Sequence, residues 1–363
     1  MAERVVVAMS GGVDSSVSAA LLHEQGYEVI GVTMKLWDGP ETAAARHKTC
    51  CTLDDVSDAR RVAAALGIPF YVVNFKDHFR KHVIDYFVDT YRQGATPNPC
   101  VQCNRYLKFT ALMQRAQQLG ARWVATGHYA AVGQDQAGRY YIRRGHDSTK
   151  DQSYFLFDLS QEQLQQTLLP LGAYRKAEVR QLAARLGLKV AEKPESQEIC
   201  FVPEGDYRAF LRPRLTPAEA QPGRMVTADG ETVGVHHGLP FYTVGQRRGL
   251  GVAAAEPLYV TRLDPEHNTV VVGPRPSALC TTFGVERLNW MCMPPTQTVQ
   301  TTVQIRYRHH PVAADVHPVA PDRAHVVLHA PQFAVTPGQA AVFYDGDTVI
   351  GGGWITRRTP EEG

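Results

Sequence analysis

The N-terminal stretch VVVAMSGGVDSSVSAALL, residues 5–22, restricts the fold of this chain more than any other segment. Three valines and an alanine in succession predict a strand that is buried on both faces, as in a parallel sheet. The apolar stripe that contains Val17 and Ala20 predicts a helix that stops at Gly26. Residues 10–16, called here the glycine–serine loop, thus join a strand to a helix N-terminus, where backbone N–H groups and the helix dipole favour an anion. A tight turn with serine capping is the alternative interpretation.

Strands and helices alternate over roughly the first third of the chain. The segments YEVIGVTMKL, PFYVVNF and RWVATGHYA predict three further strands, the last of which ends in Gly127-His128. A helix that ends at Gly67 separates the second strand from the third. This βαβ series predicts an α/β fold with a doubly wound parallel sheet, in which ligands bind at the carboxyl ends of the strands. The glycine–serine loop, Met34 and Gly127 follow strand ends, although a core methionine and a turn glycine are the alternatives for the last two.

The pattern changes after Pro213, where short β-rich runs alternate with Asp-Gly and Asp-Pro turns. These runs predict small antiparallel sheets, and the last stretch predicts a compact β-barrel with a hairpin turn at residues 345–347. We therefore predict three domains: a catalytic domain over residues 1–212, a small β-rich central domain over 213–276 and a C-terminal β-barrel over 277–363.

The composition is that of a globular protein, because 44% of the residues are hydrophobic and 20% are charged. A formal net charge of +2 is too small to indicate a nucleic-acid partner by itself. The first strand begins so early that we expect no signal peptide, and no run approaches the length of a membrane span. We expect a cytoplasmic protein without a membrane partner.

An odd number of cysteines, seven, argues against a structural disulfide framework in a chain of this size. Cys103 is predicted to begin the helix RYLKFTALMQRAQQL, where the helix dipole lowers a thiol pKa and favours a nucleophile. Cys200 follows acidic residues in EKPESQEICF, which would raise its pKa, so a buried thiol is an equally good interpretation. Cys280 and Cys292 have apolar neighbours and are predicted to be buried and inert, and the remaining cysteines are Cys50, Cys51 and Cys100.

The glycine–serine loop resembles the signature of the PP-loop ATP pyrophosphatases, whose fold is also described as adenine nucleotide α-hydrolase-like. Seven motifs occur in the order of the bacterial tRNA-specific 2-thiouridylase family, namely SGGVDSS, TPNPCVQCN, ATGHYA, KDQSYFL, ESQEICF, PFYTVGQRRGLG and IRYRH. The resemblance covers nearly the entire chain. It implies that ATP adenylates the C2 carbonyl of the wobble uridine in tRNAs for lysine, glutamate and glutamine. A cysteine persulfide then displaces AMP and leaves 2-thiouridine.

The resemblance also implies roles for individual residues. Cys200 matches the persulfide carrier, and Cys103 matches the nucleophile that helps release the sulfur, with a Cys103–Cys200 disulfide as one route. The residues implied to bind ATP are Ala8, Met9, Ser10, Gly11, Gly12, Val13, Asp14, Ser15, Ser16, Met34 and Gly127. Asn98, Pro99 and Cys100 are implied to contact the target base, and Lys150, Asp151, Gln152, Arg306 and Tyr307 to contact tRNA. By composition alone, the residues implied to contact tRNA would be charged side chains exposed to solvent or, for Tyr307, a tyrosine of the barrel core.

The family implies partners as well: ATP, expected with Mg²⁺, the tRNA, and a persulfide-donating sulfur carrier or cysteine desulfurase. Many bacterial members have aspartate at the position of Cys100. Cys100, Cys103 and Cys200 together could hold a [4Fe–4S] cluster or a zinc ion, unless Cys100 only replaces the aspartate or is a spare thiol.

Two other classes of function compete with thiolation. One is an amide-forming PP-loop synthetase, which needs no cysteine pair. The other is an RNA-binding or sulfur-carrier protein without catalysis, although the complete glycine–serine loop argues against a loss of activity.

Overall fold

The computed structural model describes residues 2–37, 53–193, 199–202 and 205–356. The chain packs into two units. The first unit comprises Met1–Ile84, Pro99–Asp206 and Asp347–Val349, and the second comprises Asp85–Asn98, Tyr207–Gly346 and Ile350–Gly363.

The strands of the described residues are β1 (Arg4–Ala8), β2 (Glu28–Lys35), β3 (Phe70–Asn74), β4 (Trp123–Ala125), β5 (Ala130–Gln134), β6 (Tyr140–Arg144), β7 (Thr167–Leu168), β8 (Gly223–Val226), β9 (Thr232–His236), β10 (Tyr259–Asp264), β11 (Thr269–Gly273), β12 (Leu279–Trp290), β13 (Val299–Gln304), β14 (Val312–Ala320), β15 (Arg323–Phe333), β16 (Ala340–Asp345) and β17 (Thr348–Ile355).

The α-helices are α1 (Val13–Glu24), α2 (Leu53–Leu66), α3 (Lys76–Phe79), α4 (Asp85–Arg92), α5 (Pro99–Gln102), α6 (Leu112–Gln118), α7 (Gln161–Gln165), α8 (Lys176–Arg185) and α9 (Tyr207–Leu211). π-Helical segments cover Arg80–Ile84 and Cys103–Ala111, and short 3₁₀ turns cover Ser153–Phe155, Arg212–Arg214, Leu239–Phe241 and Arg275–Ala278.

A parallel five-stranded sheet, in the order β3-β2-β1-β4-β7, forms the centre of the first unit. The register aligns Val5 of β1 with Val29 on one side and with Trp123 on the other. The valines of β1 are fully buried, and Val5 and Val7 share a core with α1, whereas Val6 lies outside that core. Burial on both faces of the strand explains the lack of alternation. The predicted doubly wound α/β domain is confirmed.

Two sequence-based element boundaries differ from the structure. Strand β4 ends at Ala125, so Gly127 and His128 lie in the connection after it. The helical run that carries Cys103 begins at Pro99, not at Cys103. Proline is favoured at the first helical position because its φ is preset and it has no N–H to leave unbonded. Cys103 therefore lies one turn inside the run, where the dipole stabilises a thiolate less than at the terminus.

The second unit contains the β-rich part of the chain. Strands β10-β11-β8-β9 form one sheet, and β12, β15, β14, β13, β16 and β17 follow one another until β12 pairs again with β17 and closes a barrel. Buried apolar side chains, Phe283, Val303 and Phe343 among them, fill this barrel. The predicted hairpin turn is present, with Gly346 at φ 54° between β16 and β17. The predicted β-rich central region and C-terminal barrel are confirmed, while the exact domain boundaries stay a prediction.

Candidate nucleotide and thiol site

The glycine–serine loop lies at the carboxyl end of β1, where the strand order reverses between β1 and β4. In open α/β sheets this switch point is the usual ligand crevice. Gly11 has a φ of 73°, and a Cβ on it would overlap the backbone carbonyl of Asp55. Gly12 is the N-cap of α1 and has no capping side chain. The first N–H groups of α1 are therefore open to an anion.

Most hydroxyl groups of the glycine–serine loop stabilise the loop itself. Ser15 Oγ accepts from the Ser10 N–H (3.1 Å) and donates to the Gly12 carbonyl (3.2 Å). Ser16 is completely buried, and its Oγ donates to the same carbonyl at 2.8 Å. Ser10 is exposed. The structure thus gives Ser15 and Ser16 a role in loop shape, and their predicted contact with ATP stays a prediction.

Asp14, the only charged residue of the loop, is paired with a buried lysine. Lys176 Nζ lies 2.7 and 2.8 Å from the two carboxylate oxygens of Asp14, and the Tyr129 hydroxyl donates to Oδ1 at 2.7 Å. The Lys176 side chain is 9% exposed. A carboxylate in the first turn would repel a bound anion, so this pairing keeps the helix N-terminus suitable for a phosphate.

A second lysine contacts the glycine–serine loop from the other side. Lys193 Nζ donates to the Gly11 carbonyl at 3.0 Å and to Asp55 and Asp58 at 2.7 Å each. Burial by itself lowers the pKa of Lys193, but the bonds to the two carboxylates outweigh burial and raise it. Lys193 is therefore held as a cation that joins the loop to the start of α2.

The other two residues implied to bind ATP also lie at this edge. Met34 is buried near the end of β2. Gly127 follows β4, and a Cβ at this position would come within 2.8 Å of the backbone of Asp14 and Ser15. Only glycine permits this close approach to the N-terminus of α1. The structure brings all of these residues to one sheet edge, but their contact with ATP stays a prediction.

His128 lies next to Gly127 and is held neutral. Burial, and then the charge of Lys108, lower the pKa of His128 well below its usual value. The ring nitrogens lie 2.7 Å from Thr126 Oγ1 (Nδ1) and 3.4 Å from Lys108 Nζ (Nε2). An ammonium group only donates, so Nε2 accepts from Lys108 and the proton is on Nδ1. Lys108 belongs to the Cys103–Ala111 segment, which links this segment to the sheet edge.

Cys103 is half-buried, and the residues after it anchor it to the KDQSYFL motif and to the residues just beyond that motif. Asn104 is buried and donates to the Phe155 carbonyl at 3.1 Å. Arg105 pairs with the buried Asp158 at 2.6 Å. The two contacts fix the orientation of the helical run around Cys103.

Cys200 is half-buried as well, and the residue after it anchors it. Phe201 and Phe79 are both buried, and their rings meet edge to face at 5.5 Å. Phe79 ends α3, which contacts the Cys103–Ala111 segment. The structure thus ties Cys200 to an element that contacts the helical run of Cys103. Its acidic neighbours Glu195 and Glu198, like Cys50 and Cys51, lie outside the described residues.

The described residues, which include Cys100, Cys103 and Cys200, contain no group of three His, Cys, Asp or Glu side chains that could hold a metal ion. The predicted iron–sulfur or zinc site at these cysteines is therefore wrong for this structure.

The implied tRNA-contacting residues of the first unit have internal partners. The Asp151 carboxylate pairs with Arg144 at 2.8 Å and accepts from Ser153 Oγ, and Gln152 Oε1 accepts from the Tyr129 N–H. Lys150 is half-buried. Their contact with tRNA stays a prediction, and Asp151 and Gln152 also stabilise the fold.

The implied base-contacting residues differ in accessibility. Asn98 and Pro99 are buried, whereas Cys100 is exposed. In the second unit, Arg306 is exposed and donates to the Phe333 carbonyl at 3.0 Å. Tyr307 is half-buried, with the guanidinium of Arg308 5.5 Å from its ring centre. Tyr307 is thus not a tyrosine of the barrel core, and the RNA contacts stay a prediction.

The two cysteines predicted to be buried and inert are half-buried. Cys280 donates to the Thr282 carbonyl, and burial raises the pKa of its thiol. Cys292 donates to the Ile350 carbonyl at 3.3 Å. A raised pKa lowers the thiolate fraction, which agrees with an inert Cys280.

Sequence reasoning missed Lys176, Lys193 and Tyr129. Lys176 lies 162 positions from Asp14, and Lys193 lies 182 positions from Gly11. Two sequence features could have pointed to these lysines as site residues. Lys176 begins the amphipathic helix α8, and Lys193 belongs to the EKPESQEICF motif.

Within the part of the chain that the structure describes, every helix is too short or too polar to cross a membrane.

Family models match three successive parts of the chain. Residues 3–204 match the tRNA methyl transferase HUP domain, residues 208–274 its PRC-barrel domain, and residues 280–355 the aminomethyltransferase beta-barrel domain. A solved 4-thiouridine synthetase–RNA complex with bound ATP is 18% identical, covers 58% of this chain and 50% of that chain, and has a TM-score of 0.35, which is too low to support a functional argument.

Curated relatives are much more similar. The tRNA-specific 2-thiouridylase MnmA of Geotalea uraniireducens is 53% identical over 97% of this chain and 95% of its own length. The protein of the same name from Heliobacterium modesticaldum is 54% identical over 98% of this chain and 93% of its own. With this identity over nearly the full length, the chain belongs to the MnmA family of tRNA-specific 2-thiouridylases, which are sulfurtransferase enzymes.

Proposed function

We propose that the chain is an ATP-dependent tRNA-uridine 2-sulfurtransferase that acts on the wobble uridine of tRNAs for lysine, glutamate and glutamine. The observation that carries the proposal is the first unit itself. It combines an anion cradle at the end of β1 with two cysteines, Cys103 and Cys200, whose supporting elements contact each other. An amide-forming synthetase would need the cradle but not the cysteines.

In the first step, the C2 carbonyl oxygen of the uridine attacks the α-phosphorus of ATP, and pyrophosphate leaves. The N–H groups at Gly12 and the start of α1 would bind the pyrophosphate. Mg²⁺ would accompany the ATP, since this ion typically takes one or two carboxylates together with substrate phosphates. Asp14 is the carboxylate of the loop, and its side chain is 31% exposed.

In the second step, the terminal sulfur of a persulfide on Cys200 attacks C2, and the bond from C2 to the adenylated oxygen breaks. AMP leaves with that oxygen and is a far better leaving group than an oxide. The Cys103 thiolate then attacks Sγ of Cys200, so that the persulfide S–S bond breaks, the sulfur stays on the base and a Cys103–Cys200 disulfide forms. A thiol reductant restores both thiols.

The remaining interactions are those of a polyanionic substrate and a sulfur donor. Arg306 and Lys150 would contact phosphates, and Tyr307 offers a ring face to an unpaired base. Asn98, Pro99 and Cys100 would lie beside the target uridine. A persulfide-donating carrier or a cysteine desulfurase would load Cys200 with sulfur. The protein would act on its tRNA in the cytoplasm.

The proposal is tested with the full chain, ATP, a persulfide donor and unmodified tRNA, by measuring AMP and the oxygen-to-sulfur mass change at the wobble uridine. We expect Cys200→Ser to lose persulfide loading, and Cys103→Ser to load sulfur but fail to transfer it. Cys280→Ser is the matched control and should retain activity. Normal transfer by both variants would contradict the two-thiol mechanism, and ATP-dependent incorporation of ammonia without sulfur would favour an amide-forming synthetase.

A further inference from the structure

The motif PFYTVGQRRGLG, residues 240–251, is not used by any of the steps above. Its arginine Arg247 is exposed, and so are Arg275, which lies just after β11, and Arg306, which lies just after β13. All three arginines belong to the second unit. They are separated in the sequence, but the structure brings them to the neighbourhood of one residue, Phe333.

Phe333, the last residue of β15, contacts two of these arginines. Its carbonyl accepts a hydrogen bond from Nη1 of Arg306 at 3.0 Å. The guanidinium carbon of Arg275 lies 5.0 Å from the centre of its ring, and the Tyr259 ring meets the same ring edge to face at 5.3 Å. A guanidinium group beside an aromatic ring is held there by the attraction between the cation and the π system. Arg275, Arg306, Tyr259 and Phe333 are called here the Phe333 cluster.

The motif packs against this cluster through Gly245. The Gly245 N–H donates to the Val260 carbonyl at 2.7 Å. Gly245 has a φ of 87°, and a Cβ on it would lie 2.5 Å from Cβ of Ala334 and 3.4 Å from the Phe333 ring. Only glycine permits this close approach. Arg247, two positions further along the chain, therefore lies close to the Phe333 cluster.

The positive charges of these arginines are not compensated by nearby carboxylates. Within residues 205–356, which the structure describes without a gap, Arg247, Arg275 and Arg306 have no carboxylate within the 4.0 Å of an ion pair. Arg262, another exposed arginine of the second unit, differs because it pairs with Asp264 at 3.3 Å. Exposed cations that lie together without counter-charges attract a polyanion.

We propose that Arg275 and Arg306 of the Phe333 cluster, together with Arg247, form one surface that binds backbone phosphates of tRNA. The proposal rests on the proposed function, since it takes tRNA as the polyanion. An arginine has five N–H donors, so the bond from Arg306 to the Phe333 carbonyl leaves donors for a phosphate. Guanidinium groups bind phosphates through paired N–H donors, and such contacts position an RNA without reading its sequence.

The experiment measures the affinity of the full chain for tRNA by filter binding over a range of salt concentrations. Two RNAs are compared, an unmodified substrate tRNA and a tRNA with a different wobble base. We expect Arg275→Ala to weaken binding by about tenfold at low salt and to reduce the slope of log affinity against log salt by roughly 0.7–0.9. The losses should be equal for the two RNAs, because a phosphate contact carries no sequence information.

Arg247→Ala should have the same kind of effect but a smaller one, because Glu256 lines the same groove as Arg247 and repels the RNA. The double variant Arg247→Ala/Arg275→Ala should lose more of the slope than either single variant. Arg247→Ala also serves if Arg275→Ala does not fold, which thermal denaturation would show. An unchanged slope in the double variant would overturn the proposal.

Two further variants distinguish a phosphate contact from a packing role. Arg262→Ala is the matched control, since the arginine that it removes already has a carboxylate partner, and it should bind tRNA as the unsubstituted protein does. Arg275→Lys retains the charge and should retain most of the slope. Loss of affinity in Arg275→Ala without a change of slope would assign Arg275 a packing role and overturn the proposal. A loss confined to the substrate tRNA would also overturn it, because the surface would then read bases.

The binding data of the unsubstituted protein separate this proposal from the proposed function. If the unsubstituted protein binds tRNA and the double variant binds it equally well, the surface proposal fails while the proposed function stands. If the unsubstituted protein does not bind tRNA at all, the proposed function fails and the surface proposal fails with it.

Discussion

The glycine–serine loop of the first unit and the turn at residues 306–309 of the second unit, called here the arginine turn, are both candidates for binding phosphate groups, but they are built in opposite ways. In the loop, partners within the protein hold the hydroxyls, the carboxylate of Asp14 and the carbonyl of Gly11. In the arginine turn, Arg306 and Arg308 are exposed. If the loop binds ATP and the turn binds tRNA, as proposed, fixed backbone N–H groups hold the small anion, whereas exposed cations neutralise the long polyanion one phosphate at a time.

The largest effect should come from Gly11→Ala. The new Cβ would overlap the backbone of Asp55, and φ is 73° at this position, so we expect a destabilisation of about 1–3 kcal/mol. AMP formation should fall by about 100-fold or more, because the N–H groups of the loop would be misplaced. The measurement is tRNA-dependent AMP release, together with thermal denaturation.

Gly12→Ala is the matched control for folding. Gly12 has an extended backbone with φ at −94°, and a Cβ there meets only Ser10 Oγ at 3.5 Å. Its melting temperature should equal that of the unsubstituted protein. Normal AMP release by Gly11→Ala would contradict the view that the loop binds ATP through backbone N–H groups held in fixed positions.

An intermediate effect should follow from Arg306→Ala. Loss of one phosphate contact should weaken tRNA binding by about tenfold at low salt and should reduce the slope of log affinity against log salt by roughly 0.7–0.9. AMP formation at saturating tRNA should be unchanged. Filter binding between low and moderate salt measures the slope, and Arg323→Ala, an exposed arginine of the same unit, is the control. An unchanged slope would assign Arg306 a structural role through its bond to Phe333.

The smallest effect should be the pH dependence of stability from His128. Burial and the charge of Lys108 keep the native pKa well below 6.5, whereas the unfolded chain takes up a proton near pH 6.5. Stability is therefore complete above about pH 6.5 and declines as the pH falls. Between pH 6.5 and 5.5, the unsubstituted protein should lose about 1 kcal/mol more free energy of unfolding than His128→Gln.

The comparison with the arginine turn extends to this measurement. His309 is only half-buried in the turn, and burial and then Arg306 lower its pKa. Denaturant titrations at the same pH values should show a smaller difference in free energy of unfolding between the unsubstituted protein and His309→Gln than between the unsubstituted protein and His128→Gln. An equal difference for the two histidines would mean that the turn excludes His309 from water as fully as the sheet edge excludes His128.

Much of the fold could be predicted from local signals. The pattern reasoning predicted β1, the loop and α1, because a buried valine run, a Gly-Gly loop and an amphipathic helix are adjacent in sequence. The position of Cys103 was predicted less well. The helix pattern from Arg105 onward does not show that Pro99 already begins the helical run.

The candidate site was only partly predictable, because motifs identify residues and do not show their partners. The three thiols read as a metal site on spacing alone, but the fold does not gather them. Ser16 belongs to the anion-binding motif, yet its hydroxyl bonds to the Gly12 carbonyl inside the loop. Whether a hydroxyl faces a ligand or its own backbone depends on side-chain orientation, which spacing does not specify.

The sequence by itself determined the order of the elements, the position of the glycine–serine loop and the family, and it predicted roles for Cys103 and Cys200. The physical reason is that strand patterning, glycine positions and motif spacing act over a few neighbouring residues. Only the tertiary structure decided that Lys176 neutralises Asp14 and that Lys193 holds the Gly11 carbonyl. These pairs form across 162 and 182 positions, and a charge is buried only where the complete fold supplies its counter-charge.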